Sequence, residues 1–365
     1  MSRLVTALSL CFLSQFAFAD DSLFDQKTLG KAATLRDGAL QKNEAYDLLE
    51  SLTTEIGPRM AGSPADAKAV AWAEQKFKSL GYDKVTLQPV TFPVWQRGHE
   101  NAEVLSPFPQ SLVITALGGS IGTDGKALDA EVVEFASLDA LKAAPENSLN
   151  GKIAFINKRM ERHRDGSGYG PVVAGRSAGA VEAAKKGALA IVIRSVGTDS
   201  DRLPHTGTMR YDIAVKKIPA AALSVPDADL LANMLKRGKP VILRLDIAAG
   251  FNGSYTSHNV IGEIRGREKP NEFVVIGGHL DSWDLGTGAV DDGAGVSITM
   301  AAGALIGQMK QAPRRSIRVI AFANEEQGLY GAKAYAEANK DDLANHQIGA
   351  ESDFGAGRIY EINAG

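Results

Sequence analysis

Residues 272–284 read Glu272-Phe273-Val274-Val275-Ile276-Gly277-Gly278-His279-Leu280-Asp281-Ser282-Trp283-Asp284. Phe273 to Ile276 is a short apolar run of the kind a buried strand uses, and glycines end it. A second such run, Ser316 to Phe322, lies downstream, and Gln347 to Ala350 begins a third. Between them Asp292 to Ile306 is rich in Ala, Val and Ile, and Leu329 to Asn339 also reads as a helix. Strand and helix alternating at this spacing imply right-handed crossovers and parallel strands. The expected fold class is α/β: a mixed, centrally parallel sheet with helices on both faces.

Upstream, Glu44 to Leu52 places Ala45, Leu48, Leu49 and Leu52 at helical spacing. Ile56-Gly57-Pro58-Arg59-Met60-Ala61-Gly62 breaks that pattern. Ser63 then reads as an N-cap with Pro64 at the first helical position, and Gly81 closes the helix. Val85 to Val94 is strand-like but interrupted by Pro89 and Pro93. From about Ser111 the texture changes. Val132 to Phe135, Lys152 to Ile156, Ala188 to Ile193 and Val241 to Ile247 read as short strands. Gly175 to Lys186 and Asp227 to Lys236 read as helices. This predicts a compact α/β insert with its own core. Its loop at residues 157–171 holds Arg159, Arg162, His163 and Arg164 among glycines, either a solvated edge or one facing a substrate.

The chain has 365 residues, enough for two or three domains. Its 40 basic and 43 acidic side chains leave a net charge of −3, which argues against a nucleic-acid binder held by a general basic field. Cys11 is the single cysteine, so a disulfide scaffold and a cysteine-ligated zinc site are excluded. Arg3, the apolar run Leu4 to Phe18 and the small residues of Ala17-Phe18-Ala19 form a secretory signal, residues 1–19. No later stretch reads as a membrane span. The expected product is a soluble exported protein, secreted or periplasmic.

Each strand end carries chemistry. The first gives His279, Leu280 and Asp281, and the next helix opens on Gly288-Ala289-Val290-Asp291-Asp292-Gly293. The second gives Asn324-Glu325-Glu326, and the third Glu351-Ser352-Asp353. Ligands of open parallel sheets bind beyond the carboxyl ends of the strands, so His279, Asp291, Glu325, Glu326 and Asp353 can converge at one edge. One imidazole among carboxylates suits a divalent metal, zinc above all. So many acids repel one another unless cations or protons neutralise them, and two metals sharing a carboxylate would do so. One acid must stay off the metals as a base. Taken singly, Glu325-Glu326 is a solvated pair, Asp291-Asp292 a helix cap, and His279-x-Asp281 a weak motif. Their joint placement favours the metal.

These motifs, with Ile56 to Ser63 and the insert around Gly175 to Ser195, resemble the two-zinc exopeptidase family, and the likeness spans nearly the whole chain after the signal. The resemblance implies a catalytic domain made of residues 20–110 and 248–365, with an inserted protease-associated domain at 111–247. It implies that His279 and Asp353 hold one zinc, that Asp291 bridges, and that Glu326 holds the second. Glu325 would be the general base, and Asp281 would accept from His279 and fix its tautomer. The peptide bond Asp291-Asp292 would be cis. The implied reaction is hydrolysis of terminal peptide bonds of small peptides or dipeptides by a metal-bound hydroxide. The family has a further histidine ligand beyond the position of Asp353, and no histidine follows Asp353 here. His346 precedes the third strand and does not read as its replacement. The expectation is a fragment, or a chain whose second site lacks its imidazole and holds metal weakly. Two other readings stand beside this one. A non-catalytic or weakly active relative would bind a partner through the insert. A bimetallic phosphoesterase would cleave phosphate esters but no peptides. The residues leave open a homodimer and which peptide end is removed.

Overall fold

The computed structural model describes residues 24–42, 44–353 and 355–359. The signal read at 1–19 lies outside them. Two compact units divide at Lys42 and Asn43. The first carries one helix, α1 (Gln26–Gln41), with Asp25 as N-cap: its carboxylate accepts from the Thr28 N–H at 2.7 Å. No periodicity had marked this helix, and it has no buried residue.

The second unit opens with α2 (Glu44–Ser51), a π-helical turn at Leu52–Ile56 and α3 (Pro64–Ser79). The Ser63 cap forms as expected, its hydroxyl accepting from Asp66 N–H. Then follow β1 (Lys84–Ser106), β2 (Gln110–Leu112), β3 (Ile114–Ala116), β4 (Leu128–Phe135), α4 (Leu138–Lys142) and β5 (Lys152–Ile156). After these come α5 (Gly170–Lys185), β6 (Ala190–Arg194), β7 (Ala220–Leu223), α6 (Val225–Leu235) and β8 (Ile242–Ile264). The chain continues through β9 (Lys269–His279), α7 (Ala294–Gly307), β10 (Arg315–Phe322), α8 (Tyr330–Ala338) and β11 (His346–Glu351).

All described strands belong to one sheet, ordered β11-β9-β10-β8-β4-β5-β6-β7-β3, with β1 and β2 off this path. The expected parallel trio is present: β10 and β11 flank β9, both parallel to it. Helices cover both faces because strand side chains alternate. Val274 and Ile276 of β9 point to the layer of α2, α3 and α7, with Phe77, Val296 and Met300. Phe273 and Val275 point the other way, to Tyr335 of α8. Phe77 is fully buried edge-on to Tyr82 at 4.8 Å; burial of such a ring stabilises by about 1.5–3 kcal/mol.

Two strands run much further than their sequence patterns suggest. β1 passes straight through Pro89 and Pro93, pairing antiparallel with β8 over almost its whole length. There β1 has no described partner on its other edge, which is where a strand tolerates proline. β8 borders β4 at its start and β10 at its end, so it joins the 111–247 strands to the rest of the sheet. One apolar cluster lies wholly within that segment, around Ile156, Ala180 and Ile193. The helix read from Gly175 begins earlier, at Gly170 with Pro171 in its first turn. Contrary to the sequence reading, residues 289–307 are long and apolar enough to cross a membrane; 56% of that stretch is buried, and α7 is a core helix.

Candidate metal centre

The parallel strands deliver their carboxyl ends to one edge. His279 ends β9 and is in register with Phe322, two residues before Asn324. Glu351 of β11 is in register with Gly277, and Asp353 lies just beyond. The turn before α7 brings in Asp291, and the Asp291-Asp292 peptide is cis, as the resemblance implies. Ligand atoms of His279, Asp291 and Asp353 all lie within 4.8 Å of one another. His279 Nε2 stands 2.9 Å from Asp291 Oδ1 and 3.1 Å from Asp353 Oδ1. The ring is buried, while the two carboxylates keep 59% and 33% of their side-chain surface exposed.

The tautomer of His279 follows from its other nitrogen. Nδ1 lies 2.9 Å from the backbone carbonyl of Asp281, which can only accept. Nδ1 therefore donates, and in the neutral ring Nε2 is a lone pair facing two carboxylates. That arrangement calls for a cation between them. Burial opposes a charge on the ring, yet Asp281, Asp291 and Asp353 hold its pKa far above the ordinary histidine value. A nitrogen and carboxylate oxygens of this spacing fit zinc, and these three residues would hold it.

Asp281 acts differently from expectation. Its carboxylate is 3.7 Å from His279 Nδ1, beyond hydrogen-bond reach, and its backbone carbonyl orients the ring instead. The carboxylate accepts the Glu325 N–H at 3.0 Å and so places the turn after β10. Glu325 Oε2 is 3.9 Å from His279 Nε2, beside the ligand trio rather than within it. Burial first, then the charges of Asp281, Asp353 and Glu351, push its pKa up to about 7. Glu326 is raised to about 9 by burial and by Asp291 and Asp281, and its Oε2 accepts the Trp283 indole N–H at 2.6 Å. Glu326 and Asp291 line one cavity of about 590 Å³. His346 is not there: at the opposite end of β11 it meets Tyr335 Oη at 2.9 Å and packs on Phe273.

The helix-cap reading of the aspartate pair holds for Asp292 alone. It accepts from Gly295 N–H at 3.0 Å and from His279 N–H at 2.9 Å. Burial raises its pKa to about 8. Gly278 is required here, because a Cβ would lie 2.3 Å from Asp292 Oδ2. Gly288, at φ +61°, leaves no room for a Cβ beside Ser282 and Arg59. Gly286 faces open space and is a plain turn residue.

Arg59 is the main residue that sequence reasoning passed over. It is fully buried, and its guanidinium makes no direct ion pair among the described residues. Nε donates to Leu280 O at 2.5 Å, Nη1 to Thr287 O at 2.7 Å and Nη2 to Gly288 O at 2.9 Å. It thereby ties the loop after His279 to the turn before Asp291. Burial pulls its pKa down to about 10 despite Asp281, Asp292 and Asp291 nearby. Its signal was its place as the one charged residue of the Ile56–Ser63 stretch, between Gly57 and Gly62 and between two helices. His205, which lines the cavity from the 111–247 segment, had no local signal at all.

The sheet delivers a histidine and carboxylates to one edge as a candidate divalent-metal site, and comparison with known proteins gives the class. The sequence pattern of peptidase family M28 matches residues 259–358. Carboxypeptidase Q of Xenopus laevis is 37% identical over 94% of this chain and 70% of its own length. A solved peptidase M28 precursor from Shewanella amazonensis SB2B is 55% identical with a TM-score of 0.88, covering 91% of this chain and 75% of that one. An aminopeptidase from Aneurinibacillus sp. strain AM-1 is 27% identical with a TM-score of 0.58, over 86% and 70%. The chain belongs to peptidase family M28. It spans about two thirds of the length of the carboxypeptidase Q relatives, 65% of the human one.

Proposed function

We propose that this chain is an exported zinc exopeptidase that hydrolyses terminal bonds of small peptides or dipeptides. The observation that carries the reading is His279 Nε2 set within 3.1 Å of both the Asp291 and Asp353 carboxylates, with Glu325 beside it. Zinc bound there would supply Lewis acidity towards a carbonyl oxygen and would acidify water. Asp291 and Glu326 would offer oxygens to a second zinc. Glu325 would take the proton of the attacking water at its carboxylate and return it to the leaving amine. In the metal-free protein burial and the neighbouring acids raise its pKa to about 7, which makes it a stronger base than an ordinary glutamate. Asp281 would keep Glu325 in place through the backbone. In this reading residues 111–247 are the inserted protease-associated unit, which the separate apolar cluster in that segment supports. Export rests on the signal read at residues 1–19. The partner is a small peptide.

The test is Glu325→Gln. The amide keeps the shape but cannot accept the proton, so turnover of a dipeptide panel should fall by about 10²–10⁴ with zinc content unchanged. Activity equal to the parent would remove Glu325 as base, and lost zinc would make it a ligand. A parent that binds zinc but cleaves no peptide would favour the binding-protein reading.

A further inference from the structure

The 111–247 segment reaches the metal cavity through the run Pro204 to Thr208, and that run is tied down at successive residues. His205 N–H donates to Ser195 Oγ at 2.6 Å. Thr206 Oγ1 accepts from Arg97 at 3.1 Å, and Arg97 also pairs with Asp284 of the site loop at 2.7 Å. Gly207 O accepts from Gly118 N–H, and a Cβ on Gly207 would lie 2.4 Å from the Arg176 guanidinium. Thr208 Oγ1 donates to the carbonyl of Glu326 at 2.5 Å. The run is thus held to its own segment through the His205 and Gly207 backbone and to the site through the Thr206 and Thr208 hydroxyls.

What this framework presents is the His205 ring. It is exposed, lines the same 590 Å³ cavity as Asp291 and Glu326, and makes no hydrogen bond among the described residues. The other ionisable side chains lining that cavity, Asp199, Asp201, Asp284, Asp291 and Glu326, are all acids. A bound peptide brings carbonyl and carboxylate oxygens, which need donors. Of the two ring N–H groups in the lining, that of Trp283 is already given to Glu326. At pH 7 the neutral ring offers one N–H donor and one acceptor. Its neighbours Thr206 and Thr208 anchor the run to the opposite wall and so fix where the ring stands.

We propose that His205 is a substrate-contacting residue, its ring N–H donating to an oxygen of the peptide held between the 111–247 segment and the metal centre. This rests on the peptidase reading above. The test uses zinc-loaded protein, a dipeptide substrate and a non-hydrolysable phosphinic dipeptide analogue. His205→Ala should weaken analogue binding by about 3- to 10-fold, the worth of one neutral hydrogen bond. KM should rise in parallel, and His205→Gln, which keeps a donor, should recover part of the loss. Zinc affinity and the unfolding midpoint should match the parent. In the parent, the His205 ring resonances should shift on saturation with the analogue. Analogue affinity and KM equal to the parent in His205→Ala, or ring resonances that do not move, would overturn the contact while leaving the peptidase reading intact. Zinc loss in His205→Ala would overturn it by making the ring a metal ligand. A parent that binds zinc yet neither cleaves peptides nor takes up the analogue would overturn the peptidase reading and this contact with it.

Discussion

Replacing Arg59 with methionine should be among the most damaging single changes outside the ligand set. The methionine fills similar space but returns none of the three hydrogen bonds to Leu280, Thr287 and Gly288 carbonyls. Bonds from a charged donor contribute about 1.5–3 kcal/mol each. Against this, removing the guanidinium also removes the cost of burying its charge. A pKa drawn down to about 10 corresponds to roughly 3 kcal/mol of that cost. Water can also reach the Thr287 side, where the bond is only partly buried. These contributions leave a net loss of roughly 1.5–6 kcal/mol, in the lower half of that range because of the Thr287 bond, a large part of the 5–15 kcal/mol that holds a domain. Urea unfolding of the metal-free protein measures it directly. Arg59→Lys separates the two contributions, because the ammonium keeps the charge but cannot span three carbonyls. Zinc affinity, by chelator competition, should fall at least 10-fold in both variants, as the loops bearing His279 and Asp291 lose their tie. A loss below about 1 kcal/mol with parental zinc affinity would refute the reasoning and leave Arg59 a passive core residue.

Asp291→Asn should weaken zinc binding by roughly 100-fold or more, past the 10–100-fold that partners of ligands cost; a helix-cap role predicts almost no change, since Asn caps as well as Asp, so metal titration decides. The pH dependence of stability follows from the acids whose folded pKa is raised: Asp292 to about 8 and Glu326 to about 9. Such groups bind protons more tightly folded than unfolded, so their contribution is full below the unfolded carboxylate range and is lost as pH rises through the folded values. Metal-free protein should therefore melt at progressively lower temperature from pH 5 to pH 9, and saturating zinc should flatten that trend; a metal-free Tm that rises with pH would contradict it.

The parallel core was legible because buried strands announce themselves locally. Phe273 to Ile276 and Ser316 to Phe322 need no distant partner to read as strands, and glycines and acids at their ends mark where a ligand can sit. His279, Asp291, Glu325, Glu326 and Asp353 could be grouped at one edge on that basis, and the family resemblance singled out the three that share a metal. The long reach of β1 and β8 could not, because proline inside a strand pattern reads as a break until the unpaired edge is seen. The role of the Asp281 carbonyl rather than its carboxylate depends on a difference under 1 Å between 2.9 and 3.7 Å, which residue identity does not encode. The roles of Arg59 and His205 were hidden for a related reason. The partners that tie Arg59 to the site loops lie more than 200 residues away and are backbone carbonyls, which every residue carries. His205 is placed by Ser195, Arg97 and Glu326, drawn from three parts of the chain. Local pattern therefore reveals which residues sit at strand ends. Which atoms of those residues meet, and which distant side chains join them, is decided when the folded chain closes one strand end against another.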